Sequence, residues 1–241
     1  MSIHNRTNTE RESLSDAKKA LLKKRLQGKK LSPQTPTAIS RQADTTVTPL
    51  SFSQERIWFL EQFQPNTAVF NLPYALRLAG HLDFDLFKTA LNMIVARHES
   101  LRTYFIKTDA GAQQVVSSEL NVSITVIDLQ TYAGEAQTAK IDAYIEQDAD
   151  QPHAITQAPL FRVAVLQLSS EDQIVIVNMH HIISDGWSMT IFTEELFEAY
   201  TALKQGKTPR FSPLAIQYRD YAVWQRTWLQ ENVFEQQLAY W

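Results

Sequence analysis

Two histidines stand side by side in Asn178-Met179-His180-His181-Ile182-Ile183-Ser184-Asp185-Gly186-Trp187-Ser188, at the end of an apolar run, in a chain with six histidines. Neighbouring side chains of a strand point to opposite faces. Only one of the pair can then face a given cleft, which counts against one metal held by both. Asp185 can reach back toward them, yet three ligands are not evident. The remaining readings are a catalyst and a packed pair. Ser184-Asp185-Gly186 has the composition of a strand-to-helix turn. Such a turn sets a strand-end imidazole beside a helix N-terminus, where unpaired backbone N–H groups gather. Gly186 lets a ligand come close to the backbone. A base beside such a turn suits acyl transfer. Two hydrogen-bonded structural histidines are the plainer alternative, and the motif alone leaves both open.

The elements that must position these residues follow from periodicity. Residues 173–182 are an almost continuous apolar run, and 160–169 alternate; the short SSED segment between them makes the two an antiparallel pair. Residues 188–204 place Met189, Phe192, Leu196, Tyr200 and Leu203 on one helical face. Helices are also predicted over 51–63, with Ile57, Leu60 and Phe63 as its apolar stripe, over 83–101, over the polar stretch 135–150, and as one or two helices in 212–241. Strands are predicted over 74–80 and 122–129, with a hairpin around Asp109-Ala110-Gly111. The expected class is α+β, a layer sandwich of one mixed sheet covered by helices.

Composition narrows the function classes. The chain has 241 residues, 44% hydrophobic and 20% charged, with no cysteine. Disulfides, thiol nucleophiles and thiolate metal sites are thereby excluded. No apolar run approaches the ~18 residues of a membrane span, and the polar start lacks a secretory h-region. A cytoplasmic location is expected. Residues 1–50 carry ten Lys/Arg against four Asp/Glu, while the rest carries thirteen against twenty-two. The acidic body argues against nucleic-acid binding. Residues 1–30 read as a basic helix or tail, with a helix over 14–27, and 31–49, rich in Pro, Thr and Ser, as a linker. The globular pattern occupies 50–241.

Four segments of this body carry a family resemblance. His180-His181-Ile182-Ile183-Ser184-Asp185-Gly186 resembles the HHxxxDG motif of the condensation domains of nonribosomal peptide synthetases. SFSQERIWFL (51–60) resembles the family's first core motif through Ser53, Gln54, Arg56, Trp58 and Leu60. RHESLRTYF (97–105) resembles the second through Arg97, His98, Glu99, Leu101, Arg102, Thr103 and Phe105. YRDYAVWQR (218–226) resembles the fourth through Tyr218, Asp220, Ala222 and Trp224. The family's later motifs are missing. The resemblance therefore implies one chloramphenicol acetyltransferase-like lobe, the N-terminal one, cut off before the C-terminal lobe.

The resemblance implies a reaction: an acyl or peptidyl thioester on a donor carrier protein passes to the amine of an aminoacyl group on an acceptor carrier protein. Phosphopantetheine arms of those partners carry the substrates, and no cofactor or metal is bound directly. It implies that His181 acts as base or amine positioner and that Gly186 keeps the turn open. It implies a structural pairing of Asp185 with Arg102, His180 as a packing residue, and Arg97, Ser184 and Trp187 in support. His98, Tyr218, Asp220 and Trp224 are expected to pack. Residues 1–30 are a possible contact to an upstream synthetase. Alternatives are a related acyltransferase, an epimerisation domain, or a docking and carrier-binding fragment without turnover. Cyclisation domains, with aspartates in place of the two histidines, fit less well.

Overall fold

The computed structural model describes residues 38–42, 47–65 and 67–229. The predicted helix over 14–27 and most of the predicted linker lie outside them, as does the end of the last predicted helical segment. The linker's last residues are not linker: Val47–Pro49 form a strand, β1. It is followed by α1 (Phe52–Phe63), β2 (Asn71–Ala79), α2 (Phe84–Arg97), a 3-10 turn (Glu99–Arg102), β3 (Thr103–Thr108), β4 (Gly111–Val116), β5 (Thr125–Asp128), α3 (Gly134–Asp150), β6 (Phe161–Ser169), β7 (Asp172–His180), α4 (Gly186–Lys204) and α5 (Tyr218–Trp228).

The main sheet runs β2-β7-β6-β5, with β5 parallel to β6 and the other pairs antiparallel. It is the expected mixed sheet. The hairpin strands do not join it, but make a second sheet in the order β1-β4-β3. Gly111 opens β4 at a φ of +107°, a left-handed conformation that glycine adopts without strain.

Burial explains why the strand before the histidines reads as continuously apolar. Val163, Val165, Val175, Val177 and Met179 face α2 and α4 and pack with Phe87, Leu91, Ile94, Phe192 and Leu196. The alternate residues Ala164, Leu166, Ile174 and Ile176 face α3, where Ile141, Tyr144 and Ile145 meet them. Helices cover both faces, so both sets of side chains must be apolar. Each fully buried Val, Leu or Ile contributes roughly 1.5–3 kcal/mol, so the central strands are the best-anchored part of the body. β7 carries the site at its end.

Helix α1 departs from its predicted face. Its buried residues are Gln54, Ile57 and Glu61, while Leu60 and Phe63 are 44% and 68% exposed. Polar partners decide this. The Ser51 hydroxyl accepts from Gln54 N at 3.1 Å, and Gln54 Oε1 accepts from Ser51 N at 3.0 Å, a capping box that turns Gln54 inward. Glu61 turns inward because a histidine waits for it there.

Candidate functional site

The last residue of β7 and the one after it diverge as strand geometry requires. His180 N donates to Leu160 O at 2.9 Å, and His181 N donates to Phe70 O at 2.8 Å, on the strand's two opposite neighbours. His180 is fully buried, whereas His181 is exposed. The peptide after them closes into a turn in which Ile183 N donates to His180 O at 3.1 Å and Ser184 Oγ donates to the same carbonyl at 3.3 Å.

That turn orients the His181 ring. Nδ1–H of His181 donates to Ser184 O at 2.8 Å. With that proton committed, the neutral ring carries its lone pair on Nε2. His181 borders a cavity of about 340 Å³ whose walls include Arg56 and Leu60 of α1, Phe70, Ser100, Asp185 and Tyr218. The first, second, third and fourth sequence motifs thus converge on one space. Among the described residues, Arg56 is the sole Lys or Arg on its wall. Tyr218, expected to pack, lines the cavity instead; its hydroxyl lies 2.9 Å from Ser51 Oγ, and burial raises its pKa above the ordinary tyrosine value.

His180 belongs to a different environment. Its Nδ1 accepts from Ile182 N at 3.1 Å, so Nε2 carries the proton and faces Glu61 Oε1 at 3.1 Å. Burial, reinforced by His153 and His181, lowers the His180 pKa to about 4, and burial raises the Glu61 pKa. Both directions oppose charge, and we read the contact as a neutral imidazole donating to Glu61 rather than an ion pair. Beyond it lie His153, its ring 6.2 Å from that of His180, and Arg162, which donates to His153 Nδ1 at 3.3 Å and pairs with Asp148 at 3.0 Å. Glu61 was missed in the sequence because an acid on a helix reads as a solvated face. Its spacing of seven from Gln54, on the face of Ile57, was the available signal.

The expected pairing of Asp185 with Arg102 is not formed. Asp185 caps α4, accepting from Ser188 N at 2.8 Å and from Ser188 Oγ at 2.6 Å. Those hydrogen bonds, the side-chain one foremost, hold its pKa below the usual carboxylate value. Arg102 instead donates to Ser117 O and lies 3.8 Å from Glu99. The physical reason is proximity: a cap three residues away satisfies the carboxylate without burying a charge. The same cap corrects a second expectation, because the Ser188 N–H at the helix N-terminus is already occupied. Arg97 contacts Glu195 at 3.1 Å, and His98 Nε2 contacts the same carboxylate at 2.5 Å. Ser184 lines the cavity beside His181. Trp187 does not, and is 77% exposed. Gly186 opens α4 and does not line the cavity; a Cβ there would meet nothing within 4 Å, so neither packing nor a positive φ demands glycine. Among the described residues no group of three His, Asp or Glu side chains is placed to hold a metal ion.

A family model for the condensation domain matches residues 44–241. The chain belongs to the condensation-domain family. This condensation-domain chain is 43% identical over 193 residues to a linear gramicidin synthase of Brevibacillus parabrevis, covering 80% of the chain and 2% of that relative. It is 38% identical over 192 residues to bacitracin synthase 3 of Bacillus licheniformis, covering 80% of the chain and 3% of the relative. Among solved structures, the starter condensation domain of rhizomide synthetase superposes with a TM-score of 0.74 at 27% identity, over 82% of this chain and 47% of that one. The X-domain in its complex with OxyB from teicoplanin biosynthesis superposes at 0.72 with 30% identity, over 81% and 42%. The chain thus spans a few per cent of these curated relatives and less than half of each structural neighbour. Among the described residues no helix is long and apolar enough to cross a membrane.

Proposed function

We propose that this chain supplies the histidine-bearing lobe of an amide-forming condensation domain in a nonribosomal peptide synthetase. The observation that carries the reading is the His181 ring, tied through Nδ1 to Ser184 O and bordering a cavity that all four motifs line. In the reaction, the acceptor amine forms a C–N bond with the donor acyl carbon, the C–S bond breaks, and the amine proton ends on the departing thiolate or solvent. His181 Nε2 accepts the hydrogen bond of that amine, which holds its lone pair toward the acyl carbon; it serves as base or as positioner. Proximity of two tethered substrates lowers the barrier by about 7 kcal/mol or more in favourable cases, so a modest base suffices. Both substrates arrive on phosphopantetheine arms of donor and acceptor carrier proteins, and a C-terminal lobe completes the tunnel.

The test uses a complete two-lobe domain carrying residues 44–241 of this chain, with both carrier proteins loaded. His181→Ala should lower dipeptidyl product about 100-fold or more with an unchanged circular dichroism spectrum, since the side chain is exposed. Wild-type product from the variant refutes the reading. One observation favours a second reading, a docking fragment without turnover: a neighbour of this fold was solved in a complex with OxyB. Carrier capture by the intact domain with no amide formed would favour it.

A further inference from the structure

A second, smaller cavity opens beside the His181 site. Its volume is about 120 Å³, and it shares Ser100, Ile183, Ser184 and Ser188 with the walls of the larger one. Its own walls are Leu101, Met179, Ile191 and Phe192, with His98 at one side. Most of its polar groups are already engaged. Ser184 Oγ donates to His180 O at 3.3 Å, Ser188 Oγ to Asp185 at 2.6 Å, and His98 Nε2 contacts Glu195 at 2.5 Å. What the cavity offers an incoming group is therefore apolar contact, and a polar side chain would lose water there without recovering its hydrogen bonds.

We infer that this side cavity receives the side chain of the acceptor amino acid and selects for a branched aliphatic one. The inference rests on the reading of His181 as the group that meets the acceptor amine. An amine within hydrogen-bond reach of His181 Nε2, about 3 Å, places the acceptor α-carbon one bond further on. The side cavity adjoins the His181 cavity along Ser100, Ile183, Ser184 and Ser188, and is the apolar recess next to the space that holds the substituent of that carbon. The donor's side chain starts a bond further away, on the far side of its acyl carbon. Size sets the class: an apolar cavity of about 150 Å³ accepts a benzene ring, and one of about 120 Å³ matches the smaller valyl, leucyl or isoleucyl group. The buried, close-packed walls Met179 and Phe192 give way little. Ile191, on the outer wall, is partly exposed and can be changed without emptying the core.

The experiment compares glycyl, leucyl and phenylalanyl thioesters on one acceptor carrier, with one donor, in the complete two-lobe domain. The readout is the ratio of kcat/KM between acceptors within each preparation, so any loss of folded protein cancels. A methylene in an apolar pocket discriminates by about tenfold. Ile191→Phe, which fills the cavity, should lower the leucyl-to-glycyl ratio at least tenfold. Ile191→Ala, which enlarges it, should raise the phenylalanyl-to-leucyl ratio at least tenfold. Ratios unchanged in both variants overturn the inference while leaving the role of His181 standing. His181→Ala with wild-type turnover of the glycyl acceptor, which has no side chain to place, overturns the reading of the site itself and the inference with it.

Discussion

The buried histidines impose an acid lability that can be measured directly. His153 and His180 each have a pKa lowered to about 4, in both cases first by burial. The charged and titratable groups around them are Glu61 on α1, Asp148 on α3, Arg162 on β6 and His181 in the turn. In the unfolded chain a histidine titrates near 6.5. The unfolded state therefore binds more protons between pH 6.5 and about 4. The stabilisation is complete above pH 6.5 and is lost as pH falls through that window. Between pH 7 and pH 5, one such histidine removes about 2 kcal/mol. Two remove up to about 4 kcal/mol, against a total stability of about 5–15 kcal/mol. The assay is urea unfolding at pH 7, 6 and 5 at constant ionic strength. His153→Gln removes one titration while its side-chain carbonyl still accepts from Arg162. It should flatten the pH 7 to 5 loss by about 2 kcal/mol. Asp172 and Asp185, whose carboxyl pKa values are lowered, lose their contribution only at lower pH and do not mimic the effect. A variant as acid-sensitive as the parent would refute the argument that these rings are held neutral.

Asp185→Ala should cost about 1 kcal/mol, the worth of a helix N-cap, and Asp185→Asn much less; combined with Arg102→Ala the costs should add within about 0.5 kcal/mol, and a larger coupling in denaturant unfolding would restore the pair. Glu195→Ala takes from Arg97 and His98 a shared, partly buried partner, while Arg97 keeps Ser212 O, and should cost about 1.5 kcal/mol; a melting temperature unchanged from the parent would show the carboxylate to be dispensable. Glu61→Gln keeps an acceptor for His180 Nε2–H and should be nearly neutral, whereas Glu61→Leu leaves that proton unpaired at a cost of about 1–3 kcal/mol; equal stabilities for the two would sink the assignment.

Much of this arrangement was legible from local pattern. The β6-β7 hairpin, the face of α4 and the opposite fates of His180 and His181 follow from periods of 2 and 3.6, which tertiary contacts did not override. The turn around Gly111 followed from its composition. Less was legible where a polar side chain chose between partners. Asp185 had a plausible arginine far away in sequence and a hydroxyl three residues on, and the nearer one won. Glu61 was hidden because its burial depends on a histidine 119 residues later. Arg97 and Glu195, 98 residues apart, are a further case.

The sequence by itself determined the layers of this body and the family to which it belongs. Alternation, helical stripes and four ordered motifs are local properties, and each is read within a few residues of itself. Only the tertiary structure decided which acid met which base, that Tyr218 and Arg56 share a cavity wall with His181, and that a small apolar recess lies beside it. Several of these contacts join residues far apart in the chain, 98 positions for Arg97 and Glu195 and 119 for Glu61 and His180. Their energies depend on burial and distance, which no local pattern encodes.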